Sequence, residues 1–294
     1  MKPEITIGIC VKNSQSSVGE AVKSVVTQHY RHDLMEVIVI DGNSKDATLS
    51  IVTHLLSQSR IRWRSYSDEG KGLGYARQIV VKQARGRYII FADADAVIGD
   101  GFLSRQVDFM RLHRRVAIGL GRQMYREGKG GSWLSNAWDI CRSNALDPGG
   151  GFKSVCICRT NALRSVGGFD ERIKGAGEDL DIIERLRSNG WSRAINKEAE
   201  YFHLSQESLR GFWSHHKWFG YGEYYLAHKH RDLIRPWRSL PLGQLLYGLR
   251  LAPMTYRSTR RKASFLVLPL LIFGSMAWWV GFARASIDRY GRPD

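Results

Sequence analysis

Arg87-Tyr-Ile-Ile-Phe-Ala-Asp-Ala-Asp-Ala-Val-Ile-Gly-Asp100 decides the fold, because an apolar run leads straight into two carboxylates one residue apart. Tyr88 to Ala92 has the continuously apolar character of a strand buried on both faces, as in a parallel sheet. Asp93 and Asp95 stand where that strand leaves the sheet, and ligands of open α/β sheets bind at this carboxyl end. If the backbone stays extended through Ala94, strand alternation points both carboxylates toward one divalent cation. Taken alone, Asp-x-Asp also fits a solvated turn, so its neighbours must decide.

Upstream, Glu4 to Val11 predicts a strand, and Val18, Ala21, Val22, Val25 and Val26 recur at helical spacing within Ser14 to Thr27. Met35 to Ile40 predicts a second buried strand. It runs into Asp41-Gly-Asn-Ser-Lys-Asp-Ala-Thr48, where Ser44 is placed as the N-cap of a helix carrying Ile51, Val52, Leu55 and Leu56. Ile61 to Ser65 and Tyr75 to Ala84 supply a third strand and helix. This alternation predicts a parallel, right-handed, Rossmann-like sheet. Asp41 and Asp93 then end separate strands of one sheet, where a carboxylate can accept hydrogen bonds from a base N–H or a ribose hydroxyl.

Gly70-Lys-Gly-Leu-Gly74 lacks the order of a Walker loop and does not follow the first strand as a dinucleotide fingerprint does. What remains is a basic loop opening a helix, with Lys71 and Arg77 available to a diphosphate. Lys71 alone fits a solvated charged turn equally well.

These stretches, with Ile5-Thr-Ile-Gly-Ile-Cys-Val-Lys-Asn13, Lys71-Gly-Leu-Gly-Tyr-Ala-Arg77 and Phe91-Ala-Asp-Ala-Asp95, resemble in order and spacing the inverting glycosyltransferases of family 2. The resemblance extends to Ser154–Arg159, Thr160–Glu171 and Gly175-Ala-Gly-Glu-Asp-Leu-Asp181, covering roughly residues 4 to 225. It implies a GT-A fold, a nucleotide-diphosphate sugar donor and Mg²⁺ or Mn²⁺. It further implies Asn13, Asp41, Lys71, Arg77 and Asp93 at the nucleotide sugar, with Asp41 on the base and Asp93 near ribose and metal. Asp95 and Asp93 would hold the metal, with His203 as a late ligand, although a lone histidine is as readily structural. Ala96 departs from the family pattern, in which many members carry a polar or acidic residue after Asp-x-Asp.

From Glu178 the residues Leu180, Ile183 and Leu186 fit a helix that Asn189-Gly190 ends. Glu178 and Asp179 would also favour its first turn through the helix dipole alone. By the resemblance one of this pair is the catalytic base, Asp179 before Glu178. Gly150, Gly151 and Trp138, in a glycine-rich stretch, are placed at the acceptor, and mobile aromatic loops suit lids over sugars.

Composition limits the partners. The net charge is +16, and residues 202–294 hold fourteen Lys and Arg against five Asp and Glu. That asymmetry suits an anionic surface. Aromatic and basic residues interleave from Phe212 to Arg231, a mixture that suits a membrane interface or an RNA-stacking surface. Phe265 to Ala283, nineteen residues without a charge, would span roughly 28 Å as a helix, near the bilayer core. A buried hairpin helix has the same composition, but Arg257, Arg260, Arg261 and Lys262 before it and Trp278 and Trp279 within it favour a membrane. Pro269, Gly274 and Gly281 permit a kink or re-entrant turn. The leucines from Leu240 to Leu251 predict an amphipathic surface helix. The excess of basic residues before the apolar run places the catalytic part in the cytoplasm. Met1 to Cys10 lacks an apolar leader core, and Cys10, Cys141, Cys156 and Cys158 lack zinc-site spacing and read as reduced thiols.

The expected organisation is a nucleotide-sugar half over 1–100, an acceptor and catalytic half over 101–210, interfacial helices over 211–263, and a transmembrane or re-entrant helix with a short tail over 264–294. The expected activity is metal-dependent inverting transfer from a nucleotide-diphosphate sugar, UDP before GDP, to a polyprenyl-linked acceptor, by a chain able to self-associate and with no nucleic-acid partner. The alternatives are a nucleic-acid-binding protein or a GT-A scaffold without activity.

Overall fold

The structure, a computed structural model, describes residues 2–124, 151–152, 154–204, 208–230, 232–234, 236–260 and 262–290. Its described residues divide into an α/β unit (2–124, 151–172 and 178–204) and a helical unit (173–177 and 208–290).

The α/β unit begins with β1 (Ile5–Val11), α1 (Val18–Val26), β2 (Met35–Asp41), α2 (Thr48–Ser57), β3 (Arg62–Ser67), α3 (Leu73–Gln83) and β4 (Tyr88–Asp93). These match the alternation of the sequence closely. It continues with β5 (Ala96–Ile98), α4 (Phe102–Leu112), β6 (Val116–Met124), β7 (Val155–Arg159), α5 (Thr160–Ser165), α6 (Glu178–Ser188) and β8 (Ser192–His203). The strands form one sheet in the order β3-β2-β1-β4-β7-β6-β8-β5. It is mixed, because β7 pairs antiparallel with both β4 and β6, and β5 pairs antiparallel with β8.

Both faces are packed, as continuously apolar strands require. Ile5, Ile7, Ile9, Val37 and Val39 face Val22, Val52 and Leu56 of α1 and α2, with Phe102 and Leu103 of α4 in the same core. Ile38, Ile40, Ile89 and Phe91 face Val80, Leu163 and Ile182 of α3, α5 and α6. Each fully buried Ile, Val or Phe contributes about 1.5–3 kcal/mol. Cys10, Cys156 and Cys158 are free thiols, and burial pushes Cys10 up to about 12, which leaves it inert as a nucleophile. Cys141 lies outside the described residues.

Two local expectations differ. Ser44 does not cap α2: its amide donates to both Asp41 carboxylate oxygens at 3.3 Å, while Asp46 Oδ1 accepts the Thr48 amide at 3.0 Å, so the chain turns once more before the helix begins. The strand also does not run on through Ala94. β4 stops at Asp93, residues 94 and 95 form a turn, and β5 leaves to pair with β8. Alternation therefore does not align Asp95 with Asp93.

In the helical unit α7 (Leu209–Lys229) packs along α9 (Val267–Ile287), and α8 (Pro241–Thr259) packs on α9. The α7–α9 approach is close enough to require glycine. A Cβ on Gly220 would lie 1.9 Å from the Trp278 carbonyl oxygen, and one on Gly281 would lie 1.9 Å from that of Lys217. Trp278 Nε1 donates to Glu223 Oε2 at 2.9 Å across the pair. Lys262–Ile287, 26 residues including α9, is long and apolar enough to cross a membrane by length and composition.

Candidate active site

The carboxyl ends of β2, β3 and β4 carry Asp41, Asp68 and Asp93. Asp41 closes the turn to α2 through the Ser44 amide, and the Asp68 amide donates to the Asp41 carbonyl at 3.1 Å. Asn13, held at φ 47°, links the neighbouring loops: its Oδ1 accepts the Lys45 amide at 2.8 Å and its amide donates to Ser44 Oγ at 3.1 Å. Ser44 thus ties Asn13 to Asp41 at the ends of β1 and β2.

Asp68 is a residue that sequence reasoning did not select. Its buried carboxylate accepts the Gly70 amide at 2.7 Å and the Gly72 amide at 3.3 Å, so it organises the whole basic loop. The signal was present in Asp68-Glu-Gly-Lys-Gly72, since an aspartate two residues before glycine favours a side-chain-closed turn. Gly72, at φ 102°, caps the start of α3 in a conformation that favours glycine. Lys71 projects from this loop, half-exposed, paired with Glu69 at 2.6 Å and over the Tyr75 ring at 4.6 Å.

Arg77 lies inside α3, with only 7% of its side chain exposed. Its Nη1 meets Glu178 Oε1 at 2.5 Å and its Nη2 meets Asp93 Oδ1 at 3.4 Å, while the guanidinium faces the rings of Phe152 and Phe91 at 5.3 and 5.7 Å. This placement differs from the expectation of an arginine free for a diphosphate. Its charge is engaged by two carboxylates, because α3 packs over β1 and β2 and its Arg77 reaches across to the carboxyl end of the neighbouring β4.

One cation thus serves a crowd of anions. Burial pushes Glu178 up to about 7, against the opposing pull of Arg77 and with a further push from Asp179. Glu178 Oε2 is buried and accepts no hydrogen bond among the described residues. Asp93 is raised to about 6, first by burial, against Arg77, and further by the charge of Asp95. With 39% of its side chain exposed, Asp93 remains open to a ligand, whereas Glu178, at 3%, does not.

Asp179 is the reachable member of the acidic pair. Its Oδ1 accepts the Leu180 amide at 2.8 Å and its Oδ2 accepts the Phe152 amide at 2.7 Å. Gly151 touches it so closely that a Cβ there would lie 1.8 Å from Oδ2. The structure therefore joins Gly151, expected at the acceptor, to Asp179, expected as the base. Gly150 and Trp138 lie outside the described residues.

Asp95 meets His203 because β5 pairs Ala96 with His203 in register, which sets Asp95 Oδ2 3.4 Å from His203 Nε2. Among the described residues no group of three His, Cys, Asp or Glu side chains forms a complete metal cage. The donor set nevertheless fits a divalent cation that completes its shell with phosphate oxygens and water, since Mg²⁺ sites commonly use only one or two carboxylates. Asp95, 42% exposed beside an imidazole, and the half-open Asp93 are the groups that would hold it.

A mixed sheet with acidic residues at or just after the ends of β2, β3 and β4, and a pair of carboxylates opening α6, has the GT-A architecture of glycosyltransferases. The Glycosyl transferase family 2 profile matches residues 6–173, more than half of the chain, and the protein belongs to that family. The fold matches that of mannosyltransferase PcManGT from Pyrobaculum calidifontis, solved with GDP-Man and Mn²⁺, at a TM-score of 0.65 and 16% identity over 96% of this chain and 88% of that one. It also matches Staphylococcus aureus TarS 1–349 in complex with UDP-GlcNAc, at a TM-score of 0.55 and 17% identity over 100% of this chain and 94% of that one. In sequence the chain is 30% identical over 132 residues to a Bacillus spizizenii poly(ribitol-phosphate) beta-glucosyltransferase, covering 43% of this chain and 20% of the relative. It is 29% identical over 110 residues to an Escherichia coli UDP-Glc:alpha-D-GlcNAc-diphosphoundecaprenol beta-1,3-glucosyltransferase, covering 37% of this chain and 42% of the relative. The matched stretch is thus less than half of either relative's length.

Proposed function

We propose that the protein is a divalent-metal-dependent inverting glycosyltransferase, with a UDP-sugar as donor and a lipid-linked acceptor at the cytoplasmic face of a membrane. The observation that carries this reading is the division of labour within the acidic pair. Arg77 locks Glu178 in the interior, and the Phe152 and Leu180 amides hold Asp179 at the surface of the same site.

Asp41 and Asn13 border the crevice for the nucleoside, and the Gly70–Gly74 loop with Lys71 lies next to it. Asp93, Asp95 and His203 would hold the cation, which when bound would offset charge on the departing nucleoside diphosphate. Asp179 takes the proton of the acceptor hydroxyl through Oδ1 or Oδ2 as that oxygen attacks the anomeric carbon from the face opposite the diphosphate. An acceptor phosphate would already be ionised and would need no base.

Membrane attachment is supported by α8, whose amphipathicity is inverted. Gly248 and Ala252 turn inward against Leu268 and Val267, whereas Leu242, Leu246 and Leu249 are 68%, 63% and 55% exposed. Residues 233–287 contain no Asp or Glu and eight Lys or Arg. Leucines outward on a segment rich in Lys and Arg suit a helix lying in an anionic bilayer interface. α9 supports it from behind. If α9 crossed the bilayer, its partner α7 would carry Lys217 and Glu223 into hydrocarbon, which is costly.

The test is release of nucleoside diphosphate from a panel of UDP-, GDP- and dTDP-sugars by detergent-solubilised protein, with Mn²⁺ or Mg²⁺ against EDTA and with a polyprenyl lipid extract. Metal-dependent release of UDP that requires the extract is the expected result. Absence of both release and nucleotide binding with every donor would refute the activity.

A further inference from the structure

The opposite end of the sheet carries a second basic feature that the transfer reaction does not use. Arg87 immediately precedes β4, and Arg159, the last residue of β7, is the register partner of Tyr88. Five residue steps of β4 separate Tyr88 from Asp93, so this end lies roughly 17 Å from the donor crevice.

Two adjoining cavities of about 570 and 780 Å³ open here and share Arg87, Arg159 and Asn161. The smaller is completed by Arg111, Arg114 and Trp191 and has no carboxylate in its lining. Glu4 is the sole carboxylate lining the larger, and it is already engaged by the Tyr30 hydroxyl at 2.7 Å and by Arg111 at 2.8 Å.

The arginines differ in what occupies them. Arg159 is buried and anchored: Nε donates to the Val116 carbonyl at 2.8 Å, and Nη2 donates to the carbonyls of His113, at 3.0 Å, and Met110. These bonds leave Nη1 for the cavities that Arg159 lines. Arg87 and Arg114 are exposed and have no carboxylate partner among the described residues; Arg87 rests on the Tyr88 ring at 5.4 Å. Asn161 Oδ1 accepts the Ala162 amide at 3.0 Å, which leaves its NH₂ as a further donor.

We propose that this cavity is a binding site for a phosphoryl group, separate from the donor crevice. Guanidinium groups converging from three chain segments, one fixed by carbonyls and two open, match the planar, multiply accepting geometry of phosphate oxygens. The amide of Asn161 adds a neutral donor, and Trp191 offers a flat apolar wall to the organic part of the ligand. The volume of the smaller cavity suits a phosphorylated sugar or a nucleotide-sized molecule. The same phosphoryl chemistry is presented by a soluble phosphate ester and by an anionic lipid headgroup, and the experiment separates the two.

The full chain in detergent, in EDTA, is titrated calorimetrically with inorganic pyrophosphate, and cosedimentation is measured separately with phosphatidylglycerol vesicles. The wild type is compared with Arg87→Gln/Arg114→Gln and with Asn161→Asp, which keeps the acceptor for the Ala162 amide while adding a negative charge. A soluble-ligand site predicts pyrophosphate binding that weakens at least roughly tenfold in both variants and weakens with added KCl. A headgroup site predicts that vesicle binding weakens in both variants while pyrophosphate gives no saturable heat. Pyrophosphate bound in the donor crevice would be indifferent to these substitutions. If neither titration responds to either variant, the proposal is overturned.

Discussion

The Phe152 amide donates to Asp179 Oδ2 at 2.7 Å, and the residue before it, Gly151, leaves no room there for a side chain. The segment entering β7 and the start of α6 thereby fix one carboxylate oxygen and leave the acid accessible at its edge. The first prediction concerns the acid itself. Asp179→Asn should keep nucleotide binding within about twofold while turnover falls by about 10²- to 10⁴-fold, as measured by UDP release and by calorimetry. A fully active Asn variant would remove Asp179 from the mechanism and favour a phosphate nucleophile.

Gly151→Ala should act through the same oxygen. Its Cβ would lie 1.8 Å from Oδ2, so the carboxylate must swing away. The expected outcome is a fall in kcat of roughly 10²-fold with the donor KM little changed, since misplacing a reacting group by about 1 Å costs that much. Equal kcat in the two proteins would show that this contact does not aim the base.

Arg77 holds the interior of the site together. Arg77→Met leaves Glu178 and Asp93 without their cation and should cost roughly 3–5 kcal/mol of stability, read by urea denaturation. Adding Glu178→Leu removes the stranded buried carboxyl group and should restore at least half of the loss. A double variant no more stable than the single one would contradict this account.

The same cluster makes stability pH-dependent. Folded Glu178 holds its proton up to about 7, against an ordinary 4.5, because burial disfavours its charge. Its folded value lies above the unfolded one, so its contribution is full below about pH 4.5 and is lost as pH rises through about 7. Wild type should therefore lose stability relative to Glu178→Gln across that window, by on the order of 2–3 kcal/mol. The check is denaturation of both proteins at several pH values, and a constant difference would count against a proton on Glu178.

Asp95→Asn and His203→Gln should each raise the Mn²⁺ concentration for half-maximal UDP release by roughly tenfold or more, without loss of the folded state by circular dichroism. Unchanged metal titrations would leave Asp93 as the sole protein ligand.

The alternation of strands and amphipathic helices up to Asp93 was legible because β1, β2 and β4 are buried on both faces and the helices between them show apolar stripes, while the half-exposed edge strand β3 follows from its place in the alternation. Beyond Asp93 the chain was less legible, for identifiable reasons. β5 has only three residues, and β8 is half-exposed, without the apolar run that marked β4. The contact of Asp95 with His203 depends on that pairing and could not be read from strand alternation. Arg77 illustrates a different limit. Its position after a basic loop suggested a free cation, and only the packing of α3 against β4 and α6 reveals the two carboxylates that hold it. Asp179 and Gly151 were each selected, but their contact spans 28 positions of chain and is a product of the tertiary fold.

The glycine contacts between α7 and α9 bear on how the protein can be handled at the bench. Cutting the chain before the apolar segment is an obvious route to a detergent-free enzyme. Here such a cut would peel α9 from α7 and lay bare Phe212 and Tyr224, which are buried in the intact unit against Leu270, Phe273 and Phe282 of α9. It would also take the Trp278 indole donor away from the Glu223 carboxylate. The shortened protein would trade a membrane-seeking surface for a sticky one, so solubility is better sought by recolouring the outward leucines of α8 than by removing the helix behind them.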